Sequence, residues 1–117
     1  MEKKYPEQLE RIKSLIGGMS KELPGPVSGF SKLHKEALAE GVLSTKMKEL
    51  IALGISISAG CEGCISFHVH DALRAGATRQ EVMETIGVAI LMGRGSSMIY
   101  SAEALDALDQ FEVMGVQ

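Results

Sequence analysis

Apolar residues recur three and four positions apart along nearly the whole chain, the spacing of helix faces. In residues 6–17, PEQLERIKSLIG, Leu9, Ile12, Leu15 and Ile16 fall on one side. Pro6 suits the first turn of that helix, and Gly17–Gly18 predicts its end. Leu23–Pro24–Gly25–Pro26 reads as a turn, with Pro26 opening a second helix over 27–40. Its apolar side carries Val27, Phe30, Leu33, Ala37 and Leu38, and Gly41 is its natural C-cap. Ser44 or Thr45 caps a third helix, which runs to about residue 58 and holds no charge for twelve positions after Glu49. A fourth starts near Cys61 and ends at Gly76. Thr78 and Glu81 form a capping box for a fifth over 79–92. Gly93–Arg94–Gly95 interrupts the pattern, and a last helix carries it on. ISIS at 55–58 alternates like a strand but lies inside a longer helical pattern. The expected fold is all-α: a compact bundle of about six short helices forming a single domain over 1–117. In it, residues 1–25 make an N-terminal helix and turn that packs on the core or on a partner subunit.

Composition sharpens this picture. Hydrophobic residues are 45% but aromatics only 4%, with no Trp, so the core is built from Leu, Ile, Val, Met and Ala. The third and fifth helices are apolar on more than one side, yet so short a chain has room for only one well-buried central element. Their spare faces predict contacts with other subunits, hence a homo-oligomer. A net charge of −3, with basic residues dispersed among acids, argues against nucleic acid as a partner. The apolar segments around 50–59 and 86–92 are too short to span a membrane. The opening MEKKYPEQLERIK lacks the apolar stretch of a secretory signal, and two cysteines do not make a disulfide framework, so the cytoplasm is the expected location.

The candidate chemistry sits in AGCEGCISFHVHDALRAGAT, residues 59–78, which holds both cysteines and two of the three histidines. On a helix starting near Cys61, Cys61 and Cys64 lie on neighbouring parts of one face. A bridge between them closes a tiny loop and constrains the unfolded chain weakly, so redox chemistry is its better motive. The free N–H groups and dipole of the helix start favour a thiolate. His68, one turn beyond Cys64, is placed to take its proton or hold its thiolate as an ion pair. His70 lies about 200° around the helix from His68 and reads as a surface or interface histidine. His34, on the second helix with no obvious partner, reads likewise. Glu49 opens the uncharged run of the helix before the motif, but spacing alone does not aim it at the thiols. Two other readings stay open: a zinc site from Cys61, Cys64, His68 and a fourth ligand such as Glu49, and two buried thiols without chemistry. A thioredoxin-like scaffold does not fit, because helix rather than strand precedes the motif.

The segment ELIALGISISAGCEGCISFHVHDALRAGATRQEVMETIGVAILMGRG resembles the core of the carboxymuconolactone decarboxylase-like superfamily, and within it the alkylhydroperoxidase AhpD-like branch. That branch has a Glu twelve positions before a CxxC pair and a His four after the second Cys. Glu49, Cys61, Cys64 and His68 match this pattern, and the likeness extends over about residues 30–110. The resemblance implies an all-α fold assembled as trimers or hexamers. It implies peroxidase or disulfide-exchange activity on a small hydroperoxide or disulfide, with an external dithiol as reductant. By the same resemblance Cys64 attacks the peroxide, Cys61 closes the disulfide, and Glu49 and His68 belong to a proton relay. Such chemistry needs no flavin, haem or nicotinamide cofactor and no metal. The best-known members of the branch carry a histidine just before the second cysteine; here that position is Gly63, so Glu62 takes its place or the relay is one member short. True lactone decarboxylases of the superfamily lack a functional CxxC pair. A decarboxylase would also need basic groups in its pocket, for which Arg74, Arg79 and Arg94 are available.

Overall fold

A computed structural model describes residues 2–116. They form six helices: α1 (Tyr5–Glu22), α2 (Pro24–Ala37), α3 (Thr45–Ala59), α4 (Glu62–Arg74), α5 (Arg79–Met92) and α6 (Ser96–Met114). ISIS is helical, within α3.

Local chemistry accounts for most boundaries. Ser44 caps α3 by accepting the N–H of Met47 at 3.0 Å. Thr78 and Glu81 form the expected reciprocal capping box at the start of α5. The first two helices depart from expectation. Gly17–Gly18 does not end α1, since each glycine lowers helix propensity by only about 1 kcal/mol and leaves every hydrogen bond in place. The stop comes at Leu23, which precedes Pro24 and is driven out of the α region to φ −130°, ψ 62°. Pro24, not Pro26, then opens α2, so the expected turn shrinks to one residue. Helix α2 closes at Ala37, before Gly41.

Helices α3, α4, α5 and α6 pack around one core. Leu53 and Ile57 of α3, Ile65 and Val69 of α4, Val82 of α5, and Ala104, Ala107 and Leu108 of α6 are wholly buried. Each large aliphatic among them contributes roughly 1.5–3 kcal/mol of burial. Helix α1 docks on α4 and α6 through Tyr5 and Leu9. The Tyr5 hydroxyl is buried with no hydrogen-bond partner, and burial, reinforced by Glu103, pushes the phenol up to about 12.

Helix α2 is different. It packs on α1 and buries none of its own residues. Its far end is tied to the start of α3, where Thr45 donates its hydroxyl to the Leu38 carbonyl and Lys48 its ammonium to the Ala39 carbonyl. Helix α5 turns Val82, Ile86 and Ala89 inward and leaves Val88, Leu91 and Met92, a stripe at helical spacing, exposed. No helix among the described residues is long and apolar enough to cross a membrane.

Candidate functional site

Two residues, Gly60 and Cys61, connect α3 to α4. Gly60 takes the left-handed conformation (φ 70°), and a Cβ there would also stand 3.0 Å from the Tyr100 ring, so glycine is needed twice over. The tight reversal folds α4 back along α3. Cys61 becomes the N-cap of α4, its Sγ accepting the N–H of Cys64 at 3.3 Å. Cys61 and Cys64 are joined as a disulfide.

The same reversal brings the far part of α4 against the early part of α3. Nδ1 of His68 lies 2.7 Å from Oε1 of Glu49. The carboxylate is nearly sealed from water, its side chain 5% exposed, whereas that of His68 is 16% exposed. A carboxylate only accepts, so in the neutral ring Nδ1 carries the proton and Nε2 keeps a lone pair. A charge buried to this degree needs a partner, and among the described residues the His68 bond is the one it has.

Cys61, Cys64 and His68 open on a cleft of about 680 Å³ between α1, α2 and α4. Its walls are mostly apolar: Ile12, Ile16 and Met19 from α1, Val27 and Phe30 from α2, and Phe67 from α4. Its polar lining includes Lys13, Ser31 and Asp71.

Glu62 does not line the cleft. It is held by the Lys3 ammonium at 3.0 Å and by the Gln8 side-chain amide at 3.2 Å. Glu103 and Glu62 together raise the Lys3 pKa further above its ordinary value. The idea that Glu62 replaces a histidine at position 63 therefore finds no support in its placement. The space beside Gly63 is tight: a Cβ there would stand 3.1 Å from Cδ1 of Ile12, which would have to yield by a few tenths of an ångström.

The histidines divide differently from the sequence reading. His70 is on the other side of α4 from the cleft, as its angular offset predicts, but it is no surface residue. Its side chain is 15% exposed, 2.8 Å from the Asp71 carboxylate and edge-on to Phe111. His34 is exposed, yet it stands on the cleft wall with its ring 6.4 Å from that of His68, the planes 15° apart. No local pattern reveals this, because the two residues lie on helices that meet only through the fold.

Among the described residues, no three His, Cys, Asp or Glu side chains are grouped to hold a metal ion. Arg74, Arg79 and Arg94 lie outside the cleft, and Arg79 is paired with Asp109 and Glu112.

Residues 24–107 match the model of the carboxymuconolactone decarboxylase family. An uncharacterized protein of Cupriavidus necator is 34% identical over 102 residues, 87% of this chain and 90% of its own. An uncharacterized protein encoded in the cox locus of Paracoccus denitrificans is 32% identical over 104 residues, 89% and 94% of the two chains. The apo crystal structure of a carboxymuconolactone decarboxylase family protein from Legionella pneumophila superposes with a TM-score of 0.88 at 39% identity, covering 92% of this chain and 96% of that one.

Proposed function

The chain belongs to the carboxymuconolactone decarboxylase family, and from that premise we propose that it is a thiol-dependent peroxidase of the AhpD-like kind, working through Cys61 and Cys64. The observation that carries this reading is a disulfide on the wall of an apolar cleft that it shares with a histidine braced by a buried carboxylate.

In the reduced protein, Nε2 of His68 receives the Cys64 proton while Glu49 holds the opposite edge of the ring and steadies the imidazolium. The helix start adds its dipole to the thiolate. The Cys64 sulfur attacks the terminal oxygen of a hydroperoxide: an S–O bond forms, the O–O bond breaks, and the alkoxide leaves as an alcohol after taking a proton. Cys61 then attacks the sulfenic sulfur, expelling water and forming the Cys61–Cys64 disulfide. An external dithiol restores both thiols by exchange and is itself oxidised to a disulfide. Exchange with small disulfides is the same last step run on another substrate.

The reading includes a cytoplasmic protein that assembles as a trimer or hexamer. Supporting assembly is the exposed stripe of Val88, Leu91 and Met92 on α5, with Ile51 and Ile55 exposed on α3. Decarboxylation of a lactone acid is supported less: Arg74, Arg79 and Arg94 do not line the cleft, and Lys13, which does, pairs with Glu10 at 3.8 Å.

The test is a thiol count. One equivalent of an organic hydroperoxide added to reduced protein should remove two thiols per chain, and Cys64→Ser should abolish the fast phase. Cys61→Ser should leave a sulfenic acid on Cys64, trapped by a dimedone adduct. Loss no faster than that of a small free dithiol rejects the peroxidase reading.

A further inference from the structure

We propose that His34 is a second catalytic imidazole of this site, the acid that protonates the alkoxide as it leaves the hydroperoxide. The inference rests on the peroxidase reading above and adds a residue to it.

Three observations converge. First, position 63, just before the attacking cysteine, offers no side chain: it is Gly63, and a Cβ there would stand 3.1 Å from Cδ1 of Ile12. Second, His68 is committed. Its Nδ1 is bound to Glu49, and in the reading above its Nε2 holds the Cys64 proton beside the attacking sulfur, so a proton delivered at the far oxygen of the hydroperoxide comes from a second group. Third, His34 enters the same cleft from α2, its ring near-parallel to His68 at 6.4 Å. Among the residues lining that cleft, Lys13, Ser31, His34, His68, Asp71 and the cysteines hold the polar side chains. Of these, Lys13 interacts with Glu10 at 3.8 Å, and Asp71 is bound to His70. The His34 side chain forms no hydrogen bond within the chain among the described residues, only ring contacts with Phe30 and His68. Its place is built into the fold. Thr45 and Lys48 of α3 bind the carbonyls of Leu38 and Ala39, fastening the end of α2 to the end of α3 that carries Glu49. His34 is one turn from that fastened end. Being exposed, it recovers its proton from water after each turnover.

The chemistry balances without further reactants. Cys64 thiolate, hydroperoxide and one proton from the His34 imidazolium give the Cys64 sulfenic acid, an alcohol and the neutral His34 ring.

Leaving-group chemistry separates this role from a structural one. tert-Butyl hydroperoxide expels tert-butoxide, a strong base that needs a proton as it departs. Peracetic acid expels acetate, and an aromatic disulfide such as DTNB expels a stable thiolate; neither needs an acid. In stopped-flow assays of the reduced protein, His34→Gln should slow thiol loss to tert-butyl hydroperoxide by about 100-fold, the lower end of general-acid contributions. The rates with peracetic acid and DTNB should stay within about twofold of wild type, since neither leaving group needs a proton. His68→Gln, by contrast, should slow all three probes, because it weakens the nucleophile itself. Equal slowing of all three by His34→Gln, or no slowing of any, overturns the role of His34 and leaves the peroxidase intact. A wild-type protein no faster than a free dithiol toward both peroxides overturns the peroxidase reading and this inference with it.

Discussion

His68→Ala leaves the Glu49 carboxylate buried without its hydrogen-bond partner, in a side chain only 5% exposed. Removing one member of a buried pair costs about 3–5 kcal/mol, mostly for the charge left behind. Glu49→Gln alone is milder. The amide oxygen still accepts from Nδ1, and the change from a charge-assisted to a neutral hydrogen bond costs about 1 kcal/mol. Removal of the buried charge offsets part of that. The two changes should therefore combine in an unusual way. An unpaired amide is cheaper to bury than an unpaired carboxylate. Glu49→Gln/His68→Ala should be more stable than His68→Ala by at least about 1 kcal/mol, although it carries one more substitution. Urea denaturation of the oxidised proteins, read by far-UV circular dichroism, measures all four corners of the cycle. In melting temperature the single His68→Ala loss amounts to about 12 °C or more, at about 4 °C per kcal/mol. A double variant no more stable than His68→Ala would refute the claim that Glu49 is a charge whose burial depends on His68.

Tyr5→Phe removes a buried hydroxyl that has no partner, so stability at neutral pH should hold or rise by up to about 1 kcal/mol. The Tyr5 pKa is raised in the fold to about 12 from 10.0, so its contribution is complete below pH 10 and is lost as pH climbs through 12. Alkaline unfolding should accordingly flatten over that window in the variant; an unchanged alkaline limb would count against burial as the cause. On α5, Leu91→Glu places a charge in the exposed apolar stripe and should reduce the mass measured by light scattering to that of a monomer with the helix content kept. An undiminished assembly would move the interface elsewhere.

What could be read before folding was whatever depends on near neighbours along the chain. Helix existence, the Ser44 and Thr78 caps, and the start of α4 at the cysteines all follow from spacing of one to four residues. The same rule aligns His68 with Cys64 and turns His70 away. The boundaries that differed were also local but hung on competing effects: two glycines weaken α1 without ending it, and a residue before proline ends it.

The rest was decided by packing. Glu49 and His68 are 19 residues apart and meet because a glycine reversal folds α4 back along α3. Glu62, adjacent to Cys61 in sequence, is drawn off to Lys3 and Gln8. Ile12 comes from α1 to narrow the space beside Gly63, and His34 comes from α2 to face His68. Periodicity says which side of a helix a residue occupies, but not which helix will lie opposite. The sequence alone therefore determined the helices and the Cys61–Cys64–His68 face of α4. The family pattern already pointed to Glu49, but only the tertiary structure decided how that carboxylate meets His68 and which apolar side chain and which second imidazole lie near it, because those contacts cross between helices and depend on how the whole core packs.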